Sequence, residues 1–474
     1  MSTTVATINN GKADLPDEVL EELRMQIRGA VITPTDEGAA REVFNAMHPG
    51  SPALTIGCTS TADVVAAVNF ARERDLLVAV RGGGHSIAGL SAVDGGLLID
   101  LAAMRGVHVD PSAKRAYVQG GAVWADVDQE AQAFALATPG GVVSDTGVAG
   151  LTLGGGYGWL RRKYGLSCDS VVEAQVVCAD GTVRTASAGE NPDLYWAIRG
   201  GGGNFGIVTS FTFALYPVGP LVAFSATFYP IEELASILRK WRDYAVASPD
   251  EVTSVIVTMT FPADPHMPEA IHNRAVAIVG GVYSGDVDEG MKATAPLREL
   301  GTPLFDMSGP TPWTAVQSGF DPLFPRMTLQ AYWKSQYLDE LPDAAIDLIA
   351  EKALERPAPL TLVNTFHMGG AIANVDPEAT AFAERGAPFM VSIDGMWEDP
   401  ADNDANVAWV RGVWEDVKKF GNGSVYLNFT GLADEAPSAG VDTAFGRNLK
   451  RLAEVKKAYD PKNFFRINNN IAPS

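Results

Sequence analysis

Three dense glycine clusters in the first half of the chain constrain its fold more than any other feature. The first is Gly82, Gly83 and Gly84 in RGGGHS. The second is TPGGVVSDTGVAGLTLGGGYG at 138–158, where Gly140, Gly141, Gly147, Gly150, Gly154, Gly155, Gly156 and Gly158 are eight of 21 residues. The third is Gly200 to Gly203 with Gly206, in RGGGGNFG. Glycine makes up 48 of 474 residues, about 10% against a usual value of about 7%. That excess is too small and too uneven for collagen or a low-complexity chain, so it marks places where backbone approaches something closely. Amides without a neighbouring Cβ can crowd around a pyrophosphate. Tight turns explain any single cluster equally well, but three in one half favour a phosphate-bearing cofactor. The pattern is not a dinucleotide fingerprint: RGGGHS follows an apolar run, but no G-x-G-x-x-G opens a helix there and no acidic residue follows at the expected distance. A P-loop ending in GK[ST] is also absent.

Charge narrows the partners. Lys and Arg number 36 against 57 Asp and Glu, a formal charge of −21. Such an acidic balance repels phosphate backbones and anionic lipid, so neither nucleic acid nor membrane is an expected partner; a small-molecule substrate is. No run of about 18 apolar residues is present, and MSTTVATINNGKADLPDEVL reads as no secretory leader, so the expectation is a soluble, cytoplasmic protein, monomeric or a small homo-oligomer. Cys58, Cys168 and Cys178 are odd in number and lack ligand spacing, which argues against a disulfide framework and against any metal site. The length implies two or three domains at about 150 residues each.

The first 220 residues alternate strand and helix signals. An apolar run at 53–57, a Ser60-Thr61 cap, Val64, Val65, Val68 and Phe70 on a helix, and a second run at 76–80 predict a βαβ unit ending at RGGGHS. Strands follow at 97–101 and 115–119, a hairpin at 171–185, and a strand at 207–216. Pro217 to Pro220 looks like a boundary. From 221 to 420, β-rich segments at 252–261, 275–283, 359–366 and 388–396 alternate with amphipathic helices at about 231–245 and 342–355, which predicts a sheet covered by helices. A strand is expected at 424–429 and a last helix at about 442–458, and only the first dozen residues read as disordered. The class is α+β.

RGGGHSIAG, the run from TPGG to GGGYGWLRRKYGLSCDSV, RGGGGNFGIVT, YLNF and YDPKNFFRINNNI, in this order, resemble the berberine-bridge-enzyme-like family of the vanillyl-alcohol-oxidase flavoprotein superfamily. The likeness runs from about residue 40 to 474 and is weakest in the central third. It implies a two-subdomain PCMH-type FAD-binding domain plus an α+β substrate domain with an antiparallel sheet covered by helices. The FAD-binding domain would comprise 1–217, with 420–474 returning to it, and the substrate domain 218–419. The resemblance also implies that His85 bonds covalently to the flavin 8α-methyl. Arg81, Gly82, Gly83, Gly84, Ser86, Thr146, Gly147, Gly150, Gly154, Gly155, Tyr157, Gly206, Val208, Tyr426, Asn428 and Asn468 would line the FAD. A second, cysteinyl bond in many relatives falls here on Val143, so a single covalent link is expected; Cys168 lies downstream and reads as a buried apolar residue. Thr146 occupies the family's oxygen-access position, and its valine-like bulk favours an oxidase.

For proton abstraction the resemblance points to Tyr157 and Tyr426, either of which is otherwise a packed aromatic. A tyrosine near pKa 10 is a poor base at neutral pH unless its surroundings lower it. In FMVSIDGMW, residues 390, 392, 394 and 396 share a face. The position of the family's glutamine or glutamate falls on Ser392, so that residue is missing here, and Asp394 on the same face is the candidate to replace it as base or else a solvated strand-end aspartate. Lys334 steers an anionic group or forms a salt bridge, and His367, Trp397, Trp409 and Trp414 read as structural. The implied reaction is hydride transfer from an alcohol, sugar, amine or secondary-metabolite substrate to FAD, with O2 reoxidising it to give H2O2. A dehydrogenase or oxidative cyclase on the same fold is the alternative, and a flavin-binding protein with a degenerate site a remote one.

Overall fold

The helix cap expected at Ser60 forms: its side chain accepts a hydrogen bond from the Asp63 amide and starts the helix Thr61–Glu73. This computed structural model describes residues 2–36, 42–432 and 437–474. The helix links strands Leu54–Gly57 and Val78–Arg81, which both run parallel to Leu97–Asp100 lying between them. Parallel neighbours require such a crossover. Ala30–Ile32 completes a four-stranded sheet. Val78–Arg81 delivers the first glycine loop at its C-terminal end.

A second sheet has five antiparallel strands in the order Val183–Ser187, Val171–Val177, Ile207–Ala214, Arg115–Gln119, Val107–Asp110. The predicted hairpin is its edge. The third sheet is antiparallel and, among the described residues, eight-stranded. Its long strands run Leu221–Pro230, Arg274–Tyr283, Val252–Phe261, Leu362–His367, Phe389–Trp397, Gln330–Leu338.

Two-residue alternation decides what each face of this sheet meets. Val391, Ile393 and Trp397 pack under helices Leu234–Ala247, Asp343–Leu354 and Asn403–Val417 with Trp241, Ile346 and Val410. Met390 and Met396 face the opposite way, into an aromatic cluster with Tyr157, Trp159, Trp333 and Tyr426. The architecture is α+β, as the periodicities predict, and no described helix is long and apolar enough to cross a membrane.

Three local expectations fail for identifiable reasons. Residues 424–429 do not form a strand; Leu427–Phe429 is a 3-10 turn. Its backbone groups are taken locally and by a side chain: the Tyr426 amide donates to Ser335 Oγ at 3.0 Å, and the Phe429 amide turns back to the Tyr426 carbonyl at 2.9 Å. The last helix is two, Pro437–Phe445 and Leu449–Tyr459, broken at Gly446, whose φ is +45°. Residues 2–12 are ordered: Ser2–Ala6 pairs with Lys12–Pro16, and Val5 and Leu15 are buried.

Candidate active site

A cavity of about 330 Å³ lies between the glycine loops and the aromatic face of the third sheet. Gly82, Gly83, Gly84, His85, Ser86, Thr146, Gly147, Gly150, Gly154, Tyr157, Gly206, Val208, Asp394, Tyr426, Asn428 and Asn468 all line it, and so does Val143. Residues from both ends and the middle of the chain thus share one wall.

Two expected residues are not in that wall. Arg81 is drawn into a buried, bidentate pair with Asp100, Nε to Oδ1 at 3.0 Å and Nη2 to Oδ2 at 2.6 Å. With Nε and Nη2 on the Asp100 carboxylate and Nη1 on the Glu42 carbonyl at 3.3 Å, the guanidinium anchors the loop. Gly155 has φ +109°, and a Cβ there would lie 2.6 Å from the Phe382 ring, so this glycine serves packing.

The first two glycine loops cross at Gly83 and Gly147. A Cβ on Gly83 would stand 2.3 Å from the Gly147 nitrogen and 2.4 Å from its Cα. Backbone on both sides leaves nothing flexible to yield. Gly83→Ala is therefore expected to cost about 3 kcal/mol through overpacking, read as a lowered thermal midpoint; an unchanged midpoint would show that the loops separate freely.

His85 follows this crossing. Its Nε2 lies 3.1 Å from Asp145 Oδ2, and its ring stacks on Phe44 at 5.3 Å with 4° between planes. Burial lowers the imidazole pKa, against the hydrogen bond to Asp145, so the ring is neutral at pH 7. Burial raises the Asp145 pKa, but hydrogen bonds from His85 and Arg326 outweigh this and bring it to about 2. Asp145 and Arg326, whose Nε donates to Asp145 Oδ2 at 2.7 Å, carry no local motif and escape a reading of the sequence.

At the other end, Asp394 is 3% exposed. It is not a solvated strand end, because strands on both sides and the aromatic cluster enclose it. Burial lifts its pKa to about 7, although hydrogen bonds from Ser392 and Asn364 act the other way. Asn364 Nδ2 donates to Asp394 Oδ2 at 2.7 Å and Ser392 Oγ donates to Oδ1. Ser392 is fully buried and supports the carboxyl from behind, while Asn364 reaches the cavity. Asn364 was legible only as a strand-period partner of Leu362 and Phe366, which also line the wall.

Tyr157 and Tyr426 stand with ring centroids 4.7 Å apart. The Tyr426 oxygen accepts from the Gly156 amide at 3.2 Å and from Asn428 Nδ2 at 2.8 Å, which leaves its own proton free to donate. Tyr157 Oη is buried without a hydrogen-bond partner. Burial raises both phenol pKa values above the ordinary range. Neutral phenols donate hydrogen bonds and do not abstract protons at pH 7. Arg161, also unforeseen, lies behind Tyr157 and donates to the carbonyls of His367, Gly158 and Ser254 at 2.8, 3.0 and 2.9 Å.

The softer candidates fall elsewhere. Lys334 lies outside the main cavity, its ammonium 4.6 Å from the Trp414 ring centroid. Burial drives the His367 pKa down to about 2, and the neutral ring packs between Trp241 and Phe389 on the helix-covered side. Cys168 is buried in the aromatic cluster. No group of three or more potential metal ligands occurs among the described residues.

Comparison with known proteins supplies the context. A family model described as FAD binding domain matches residues 52–187, and one described as berberine and berberine like matches 425–472. The chain is 31% identical to an uncharacterized FAD-linked oxidoreductase of Bacillus subtilis (strain 168), over 95% of this chain and 98% of that protein. It is also 31% identical to (R)-6-hydroxynicotine oxidase of Paenarthrobacter nicotinovorans, again over 95% and 98%. The crystal structure of 6-hydroxy-D-nicotine oxidase from Arthrobacter nicotinovorans superposes with a TM-score of 0.83 at 28% identity, covering 94% of this chain and 98% of that one. Physcomitrella patens BBE-like 1 gives 0.84 at 25%, covering 96% and 99%.

Proposed function

Because the chain belongs to the berberine-bridge-enzyme-like family of FAD-linked oxidoreductases, we propose that it is an oxidase with covalently held FAD. It removes a hydride and a proton from an aromatic or otherwise apolar alcohol or amine, and O2 takes the electrons to give H2O2. The observation that carries the reading is Asp394: a buried carboxyl with pKa about 7 at the cavity wall, close to Tyr157.

The cavity fits the cofactor on its own evidence. A Cβ on Gly150 or Gly203 would meet no protein atom within 4 Å, although both glycines line the wall. Packing within the protein does not require glycine there, whereas a ligand lying on the backbone does. Asn468 Oδ1 and Tyr157 Oη are buried, unpartnered and on the same wall; polar groups in that condition are costly unless a ligand completes them. When bound, FAD supplies the hydride-accepting and oxygen-reducing chemistry.

The protein's own groups do the rest. Asp394 takes the proton from the substrate O–H or N–H, and Asn364 and Ser392 hold its carboxylate in place. Tyr157 donates to the substrate heteroatom and Tyr426 orients from below, with Asn428 and the Gly156 amide fixing its oxygen. Phe320, Phe324, Trp333, Phe366 and Phe429 line the wall, and this lining favours a flat apolar substrate over a sugar. Residues 1–217 and 420–474 cradle the cofactor while 218–419 cover it. Thr146, on the wall beside Gly147, leaves room for oxygen.

Anaerobic mixing with panels of aromatic alcohols, aromatic amines and sugars tests the proposal. Flavin bleaching by an aromatic member, then rapid recolouring in air with H2O2 release, is expected. Bleached flavin that persists for minutes in air would make the protein a dehydrogenase. Gly150→Ala gives an independent check on the cradle. It adds a helix-favouring residue worth up to about 1 kcal/mol in the helix Val148–Leu153, so the flavin-free protein melts no lower while FAD occupancy falls. Unchanged occupancy would place the cofactor elsewhere.

A further inference from the structure

We propose that Asp145, held by Arg326, is a positioning residue that sets the imidazole of His85 for bonding to the flavin through Nδ1; this rests on His85 being the covalent attachment point. The inference starts from hydrogen-bond chemistry. A carboxylate only accepts, so the His85 nitrogen 3.1 Å from Asp145 Oδ2 must carry the proton. That nitrogen is Nε2, and in a neutral imidazole the lone pair is then on Nδ1. Among the described residues His85 makes no other side-chain hydrogen bond, and its ring lines the cavity. Phe44, stacked at 4° on the imidazole, fixes the plane in which the lone pair points.

Asp145 is itself held from a distant part of the chain. Arg326 Nε donates to Oδ2 at 2.7 Å and Nη2 to the Asp145 carbonyl at 3.2 Å. The segment bearing Arg326 is tied down on both sides. Asp321 accepts from the Ser144 amide at 2.8 Å and from its hydroxyl at 2.6 Å. The Met327 amide donates to the Val43 carbonyl at 3.1 Å, next to Phe44. One strap from the third sheet therefore grips the residue that orients the histidine and the chain that stacks on it.

The bond-forming step gives this arrangement a purpose. Nδ1 forms a bond to the flavin 8α carbon and a C8α–H bond breaks, its proton passing to solvent. The electron pair goes into the isoalloxazine, and O2 removes it to give H2O2. The alkylated imidazole keeps its Nε2–H and becomes a cation. Asp145, already ionised, faces that developing charge in a partly buried setting where it counts for more than in water. Arg326 keeps the carboxylate from turning to solvent.

The test uses the full-length chain made with limiting flavin and then given FAD. Covalent incorporation is followed by the flavin retained after acid precipitation, and the imidazole tautomer by nitrogen-15 NMR of the six histidines. Asp145→Asn is expected to bind FAD yet slow incorporation about tenfold or more, the scale of one charge-assisted hydrogen bond, and to shift the His85 signals away from the Nε2–H form. Asp145→Glu should restore most of the rate, which a merely structural role would not do. If Asp145→Asn does not fold, Arg326→Met, which frees the carboxylate, is expected to slow incorporation as well. Incorporation at the wild-type rate with an unchanged tautomer would overturn the proposal. If wild-type protein retained no flavin on precipitation, the attachment at His85 would fail instead. The tautomer would still decide whether Asp145 orients the ring.

Discussion

Replacing Asp394 by asparagine is expected to slow flavin reduction by about 10²- to 10⁴-fold, the range supplied by a positioned general base. The asparagine is nearly isosteric and can still bond Asn364 and Ser392, so substrate binding should change far less than kcat. The sign of the pH dependence follows from the raised pKa. Asp394 must be ionised to accept a proton, and its pKa is about 7. The wild-type rate of anaerobic bleaching should therefore fall as pH drops below about 7, approaching tenfold per unit, and level off above it. Asp394→Asn should remove that limb together with the rate. A second trace appears in stability. Between the unfolded carboxylate value near 3.9 and about 7, the folded protein holds a proton that the unfolded chain has lost. Stability therefore falls as pH rises through that window, and the variant should lack this contribution. A loss of less than tenfold with the acidic limb intact would remove Asp394 from the chemistry.

His85→Ala should be all-or-none. Acid-precipitated wild-type protein is expected to stay yellow, and the variant to release its FAD completely into the supernatant. The glycine wall remains in the variant, so FAD should still bind, but reversibly and with lower occupancy after gel filtration. The contrast with Asp145→Asn is informative: loss of the nucleophile abolishes the bond, whereas loss of its orienting partner only delays it. Retention of colour by His85→Ala would move the attachment to another side chain. The described cysteines are poor candidates, because Cys58, Cys168 and Cys178 are all buried and burial raises their thiol pKa values.

The legible parts of the sequence share one property: what specifies them is contiguous. RGGGHS carries its close-approach glycines and its histidine within six residues, and the Ser60 cap lies next to the helix that it starts. At Gly84 a φ of +75° favours glycine through its own backbone, whereas at Gly83 it is the crossing backbone of Gly147 that leaves no room for a Cβ. Other parts depend on partners elsewhere. Arg81, in the same motif, is expected beside the cofactor, but its guanidinium is bound to Asp100, 19 residues on. The strand expected at 424–429 has the right residues, but its Tyr426 amide goes to the Ser335 hydroxyl and its Phe429 amide turns back to the Tyr426 carbonyl instead of extending a ladder.

For the candidate base, the two-residue period placed Asp394 on the same face as Ser392 but did not show whether that face meets water. Strand neighbours on both sides and the aromatic cluster above decide that, and burial is what raises the pKa to about 7. Likewise, Asp145 and Arg326 are 181 residues apart and Tyr157 and Tyr426 lie in different parts of the chain. The sequence by itself determined the family, through its motifs in their order along the chain, and the α+β class and the glycine loops, through local periodicity and short contiguous runs. Only the tertiary structure decided which carboxyl is buried, which tyrosine protons are free to donate and which nitrogen of His85 is left open. Desolvation and hydrogen bonding depend on what packs against a group, and in this protein those neighbours come from distant segments.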